Sequence, residues 1–145
     1  MKTGFRLLSS VGINLGHAAE EFFYYALKEN PVLGDIRFDD VAFNLHARNK
    51  EIEDEFDIVL FNGDTVGIIE IKHKVHPADL EKLKTKKVEH FRVLFPDYAG
   101  YKYYLGIGGF SIPAEVAGMA RANGIAVLRQ KGDIAEIEAE NLTMY

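Results

Sequence analysis

Two apolar runs joined by Asn62-Gly63 constrain this chain most. From Asp57 the sequence reads Asp-Ile-Val-Leu-Phe-Asn-Gly-Asp-Thr-Val-Gly-Ile-Ile-Glu-Ile-Lys, ending at Lys72. β-Branched and aromatic residues fill both runs, and Asn-Gly between such runs is a strong hairpin signal. The pattern predicts strands over 55–61 and 65–73. Side chains alternate along a strand with a period of two, so Glu70 and Lys72 share a face, and the hairpin folds Asp57 back toward them. Val66, Ile68, Ile69 and Ile71 make the second strand apolar on both faces, as in a central buried strand. Two carboxylates and an ammonium on such strands are costly to desolvate unless something binds them. A divalent metal and a phosphate fit that arrangement.

The rest of the chain supplies a setting. Asn14 is an N-cap candidate for a helix running to about Asn30, where Pro31 stops it. Leu15, Ala19, Phe22 and Ala26 form one stripe of this helix, and Gly16, Glu20, Phe23 and Leu27 the adjoining one, so Glu20 lies on the largely apolar side. Glu21 falls on the polar side with His17, Tyr24 and Lys28. Alternating Val41, Phe43 and Leu45 suggest a first strand within 36–47. Pro77 opens a second helix that ends near Pro96, with Leu80, Leu83, Phe91 and Leu94 as its apolar face. A strand over 101–107 follows, with Gly106-x-Gly108-Gly109 read as a turn. A helix over 113–123 is stopped by Gly124, and strands over 125–128 and 134–137 close the chain. The order α-β-β-β-α-β-α-β-β in 145 residues predicts a single domain over 1–145. It is expected to be a three-layer α/β/α domain with a central mixed sheet.

Several function classes are excluded or disfavoured. There is no cysteine, which removes disulfides, thiolate zinc sites, iron–sulfur clusters and a cysteine nucleophile; this fits a cytoplasmic protein. No run approaches 18 apolar residues, so no membrane span is expected. The formal net charge is −5. Nucleic acid would therefore be held by a local basic patch or through bound metal, not by bulk charge.

The chemistry follows from Asp57, Glu70 and Lys72. Phosphodiester hydrolysis needs a nucleophilic water, neutralisation of developing phosphate charge and stabilisation of the leaving oxygen. Mg²⁺ suits this because it takes oxygen ligands and keeps several waters. Asp57 and Glu70 would be ligands, the Ile71 carbonyl between Glu70 and Lys72 could add an oxygen, and Lys72 would orient the water or contact the phosphate. A Glu-x-Lys pair alone is usually a solvated strand face; what outweighs that reading is two adjacent apolar strands that both carry charge.

Of the acidic run Glu51, Glu53, Asp54 and Glu55, most reads as solvated loop; Glu55 is the exception, sharing the Asp57 face at i−2, where it could support or bridge a metal. His73 and His76 have no partner motif for zinc and read as surface residues. Lys82, Lys84, Lys86, Lys87 and Arg92 read as an ordinary cationic helix face or as a phosphate-tracking surface, with Lys86 and Lys87 the candidates for nucleic-acid contact. Tyr98, Tyr101, Tyr103 and Tyr104 read as strand core or oligomer interface before base stacking.

Glu20 on the first helix, Asp57 in the second strand and Glu70-Ile71-Lys72 in the third together resemble the PD-(D/E)xK nuclease superfamily, with Phe56 where the motif's name has proline. The αβββαβ order from about 10 to 110 is similar to that superfamily's core. Gly16-His-Ala-Ala-Glu20 resembles the first helix of its small members, the Holliday-junction resolvases and compact restriction-like nucleases. The resemblance implies a restriction endonuclease-like fold and Mg²⁺- or Mn²⁺-dependent hydrolysis of DNA. Asp57 and Glu70 would then hold metal, Glu20 would assist through metal-bound water, and Lys72 would be the catalytic lysine. It also implies a homodimer for two-strand cutting, or a protein partner supplying target recognition. The alternative is a catalytically inactive nuclease-like module that binds nucleic acid or a partner protein.

Overall fold

A computed structural model describes residues 15–145, so the expected Asn14 cap lies outside the described residues. Helix α1 (Leu15–Glu29) is followed by a small hairpin, β1 (Val32–Leu33) and β2 (Ile36–Arg37). Then come β3 (Asp40–Arg48), β4 (Glu53–Phe61) and β5 (Thr65–Lys74). Helix α2 (Pro77–Lys82) runs through a π-helical turn (Leu83–Lys87) into α3 (Val88–Leu94). Strand β6 (Lys102–Ser111), helix α4 (Ala114–Ala122), β7 (Ala126–Lys131) and β8 (Ile134–Glu138) complete the order.

Six strands form one mixed sheet in the order β3-β4-β5-β6-β7-β8. The first three pair antiparallel, β5, β6 and β7 pair parallel, and β8 returns antiparallel. Parallel neighbours need a crossover; α2–α3 supplies the first and α4 the second. Ala19, Phe23 and Leu27 of α1 pack on Ile58, Leu60, Ile69 and Ile71. Leu80, Leu83, Val88 and Phe91, with Val116 and Ala120 of α4, cover Val66, Ile68, Tyr103, Leu105 and Ile107 on the other face. The domain is therefore a three-layer α/β/α arrangement. Each buried Phe, Leu or Ile contributes about 1.5–3 kcal/mol relative to exposure, so the two faces dominate stability.

Three sequence expectations are corrected. The run Gly106-x-Gly108-Gly109 is not a turn but lies inside β6. A Cβ at Gly106 would come within 2.6 Å of Ile69 Cδ1, one at Gly108 within 2.8 Å of Ile71 Cδ1, and one at Gly109 within 2.6 Å of the Lys72 carbonyl oxygen. The glycines let β6 lie against the bulky side chains and backbone of β5. Glu53 and Asp54 belong to β4 and not to a loop. Within 36–47 only the residues from Asp40 onward belong to the expected strand, β3, while Ile36–Arg37 close the β1–β2 hairpin. The β4–β5 turn joins the strands as expected, yet neither Asn62 nor Gly63 takes positive φ. Asn62 instead accepts the Asp64 N–H on its side chain at 3.1 Å and donates its own N–H to the Thr65 carbonyl at 3.0 Å.

Two irregularities prepare the site. Pairing of β4 with β5 runs from Phe61↔Val66 to Ile58↔Ile69 and stops, although both strands continue. In β4 the alternation breaks at Asp57: Ile58 and Leu60 face α1, whereas Phe56 and Val59 both face the opposite layer. Phe56 there meets Phe91 edge-on at 5.1 Å. Across from Asp57, between the pairs Phe43↔Ile58 and Leu45↔Phe56, Asn44 takes a positive φ of 54°. Few residue types other than glycine tolerate this region, and Asn is one of them.

Candidate active site

Where two strands part, the backbone groups facing the gap lose their ladder partners and must find others. Here side chains supply them. The Ile71 N–H donates to Asp57 Oδ2 at 2.8 Å. The Asp57 N–H donates to Glu70 Oε2 at 3.3 Å. The Glu55 carbonyl accepts from Lys87 Nζ. N–H and C=O of one strand residue point to the same side, so the Ile71 carbonyl faces the opening with its N–H. The hairpin register thus brings Asp57, Glu70 and the Ile71 backbone to one point.

A cleft of about 560 Å³ opens on this split. Asp57, Glu70, Ile71 and Lys72 line it from the sheet, Glu20 from α1, Asn44 and His46 from β3, and Lys82 and Lys87 from the opposite helical layer. Glu20, Asp57, Glu70 and Lys72 are all brought to it, as the sequence pattern predicts. Lys72 is half-buried and makes no hydrogen bond or ion pair among the described residues. Six carboxylates line the cleft against three lysines. The cavity is therefore acidic and attracts cations before it admits a polyanion.

The carboxylates register that crowding. Glu70 is 6% exposed; burial, and next the charge of Asp57, push its carboxyl up to about 7. Burial raises Asp57 too, against the pull of the Ile71 N–H and of Lys87 and Lys72. Glu20 is raised by burial and then by Asp57. Burial leads each shift, and a neighbouring acid adds to it.

Lys87 is a correction. The sequence placed it with Lys86 on a phosphate-tracking helix surface. Lys86 is exposed, but Lys87 is buried, donating to Asp54 Oδ1 at 2.7 Å and standing 3.5 Å from Glu70 Oε1. Asp54, read from sequence as solvated, also bonds His90 Nδ1 at 2.8 Å. Burial pushes Asp54 up, but these bonds outweigh it and hold the carboxyl below its ordinary range. Burial pushes Lys87 down, and the attraction of Glu70 and Asp54 more than reverses it. A signal for Lys87 was present: it falls on the stripe Leu80, Leu83, Phe91 at helical spacing, where a lysine must be paired. Glu55 is exposed and contributes its carbonyl and its charge. His73 and His76 are exposed, as expected, and Tyr103 is core, its hydroxyl donating to the Tyr98 carbonyl at 2.7 Å.

The donor set decides which cation fits. Among the described residues, no three His, Asp or Glu side chains group closely enough to cage a metal. Two carboxylates and a backbone carbonyl are hard oxygen donors. They fit Mg²⁺ or Mn²⁺, which bind through one or two carboxylates and retain waters, and do not fit zinc. No helix among the described residues is long and apolar enough to cross a membrane.

No family model and no curated protein matches the chain. Solved structures that resemble it include two proteins. The protein of unknown function AF1548 is 15% identical with a TM-score of 0.51, covering 80% of this chain and 58% of that one. Protein VC1899 from Vibrio cholerae is 17% identical with a TM-score of 0.47, covering 77% of this chain and 28% of that one. The chain therefore spans little more than half of the first protein and about a quarter of the second. At such identity the first likeness establishes a shared mixed α/β fold alone, and the second carries no argument.

Proposed function

We propose that this chain is a metal-dependent nuclease of the PD-(D/E)xK kind that hydrolyses DNA phosphodiester bonds. The observation that supports it is the gathering of Asp57, Glu70, the Ile71 backbone and Lys72 where β4 leaves β5, with Glu20 reaching the same cleft. Asp57 and Glu70 would hold Mg²⁺ or Mn²⁺, with the Ile71 carbonyl as a third oxygen. When bound, such an ion supplies Lewis acidity and a water acidic enough to lose its proton near neutral pH.

The chain's own groups do the rest. Lys72 is free to hold a non-bridging oxygen of the scissile phosphate or to orient the attacking water. Glu20, half-buried and raised by burial and Asp57, is suited to exchange a proton through water. With a net charge of −5 and an acidic cleft, DNA needs the cation for binding as well as for chemistry. Exposed Lys86 is the remaining candidate for phosphate contact outside the cleft. Duplex cutting would use a homodimer or a protein partner.

The test is nicking of plasmid, junction and single-stranded DNA with Mg²⁺ or Mn²⁺. Asp57→Ala and Lys72→Ala are each expected to lower the rate by about 10²-fold or more. Cleavage surviving both substitutions would remove the site. A second reading, an inactive nuclease-like module, is favoured by Lys87 standing beside Glu70; metal-dependent DNA binding without any nicking would select it.

A further inference from the structure

We propose that Lys87 is the resident counter-ion of the acid cluster and that it sets, by charge competition, how tightly the cleft takes up a divalent cation. This rests on the metal centre proposed above.

Lysine is almost never buried unless paired, and Lys87 is 7% exposed. Its stem brings the ammonium to 5.1 Å from the Phe56 ring centre, under the parted strands. The grip is unequal. Asp54 at 2.7 Å and the Glu55 carbonyl tie it to β4, whereas Glu70 on β5 stands at 3.5 Å. His90 holds the far oxygen of Asp54 at 2.8 Å and steadies that anchor. The looser partner, Glu70, is the one a cation would claim. A divalent ion placed on Glu70 meets an ammonium already at ion-pair distance, so the two positive charges oppose each other. The cleft is thus part-neutralised in advance, and cation uptake is weaker than its carboxylates alone would give.

The experiment is calorimetric titration of Mn²⁺ into wild type, Lys87→Met and Lys87→Arg, with Asp57→Ala marking site-specific uptake. Methionine keeps the apolar stem and removes the charge. Lys87→Met is expected to bind Mn²⁺ about tenfold more tightly or better, and Lys87→Arg within about threefold of wild type. A second readout is thermal. Without metal Lys87→Met should melt lower than wild type, because Glu70 and Asp54 lose their partner. Mn²⁺ should then raise its melting temperature more than it raises that of wild type. If Lys87→Met does not fold alone, Mn²⁺ should fold it, read by circular dichroism, while Lys87→Arg folds without metal. A folded Lys87→Met whose affinity equals or falls below that of wild type overturns the proposal and leaves the metal centre standing. Mn²⁺ uptake absent from wild type and both Lys87 variants overturns the metal centre as well.

Discussion

Glu70 is held by three things at once: the strand that buries it, the Asp57 N–H it accepts, and the ammonium of Lys87. Its carboxyl is pushed to about 7 from 4.5 by burial and then by Asp57. A carboxyl raised on folding favours the native state while it carries its proton. That contribution is whole below about 4.5 and is lost as pH rises through about 7. Ionisation of Glu70 therefore costs stability at alkaline pH, on the order of 3 kcal/mol at full effect. Glu70→Gln should close that gap. Its stability relative to wild type should rise between pH 5 and pH 8, measured by urea unfolding at each pH. A relative stability that stays flat across that range would refute the shift. Asp54 has the opposite sign: its depressed carboxyl supports the fold above the ordinary range near 3.8 and fails it only in stronger acid.

At the level of elements, the end of β5 that carries Glu70 and Lys72 is fixed from behind by β6. Gly108 and Gly109 pair with Ile71 and Lys72 in parallel register, and their missing side chains permit the approach. At Gly109 the obstacle to a methyl group is the Lys72 carbonyl, which is backbone and cannot rotate away. Gly109→Ala should destabilise by about 1–3 kcal/mol and displace Lys72, which under the proposed nuclease function would lower cleavage beyond the stability loss. Gly63→Ala in the β4–β5 turn meets nothing within 4 Å and has no positive φ to lose, so a change within about 0.5 kcal/mol is expected. Urea midpoints of the two variants, taken together, check the claim; equal losses would contradict it.

Across the whole molecule, local information was legible and long-range information was not. Asn62-Gly63 with apolar runs on either side identified the hairpin, and its register alone brings Asp57 opposite Glu70. The apolar stripe of α1 placed Glu20 inward. Those signals need only period and turn chemistry. The glycines of β6 misled because, on one chain segment, a close approach and a turn look alike; only the isoleucines of β5 distinguish them. The apolar stripe marks Lys87 as buried, but its acceptors lie on Asp54, Glu55 and Glu70, on strands that precede it in the chain, and no window around the helix contains them. The break at Asp57 was also invisible, since strict alternation would have put Phe56 with Ile58.

That break gives the molecule a built-in probe. The amides of Asp57 and Ile71 are shielded by carboxylates, whereas the neighbouring pairs from Ile58↔Ile69 to Phe61↔Val66 sit in the ladder. Hydrogen exchange at these two positions should follow the carboxylates and not global unfolding. Mg²⁺ drawing Glu70 or Asp57 away should speed exchange at one or both amides, read by NMR, while the ladder amides stay slow. Unchanged exchange at saturating Mg²⁺ would mean the ion sits elsewhere. The cost of parting two strands is thus met by the carboxylates proposed to hold the cation, and deuterium uptake at two backbone positions would record any exchange of one partner for the other.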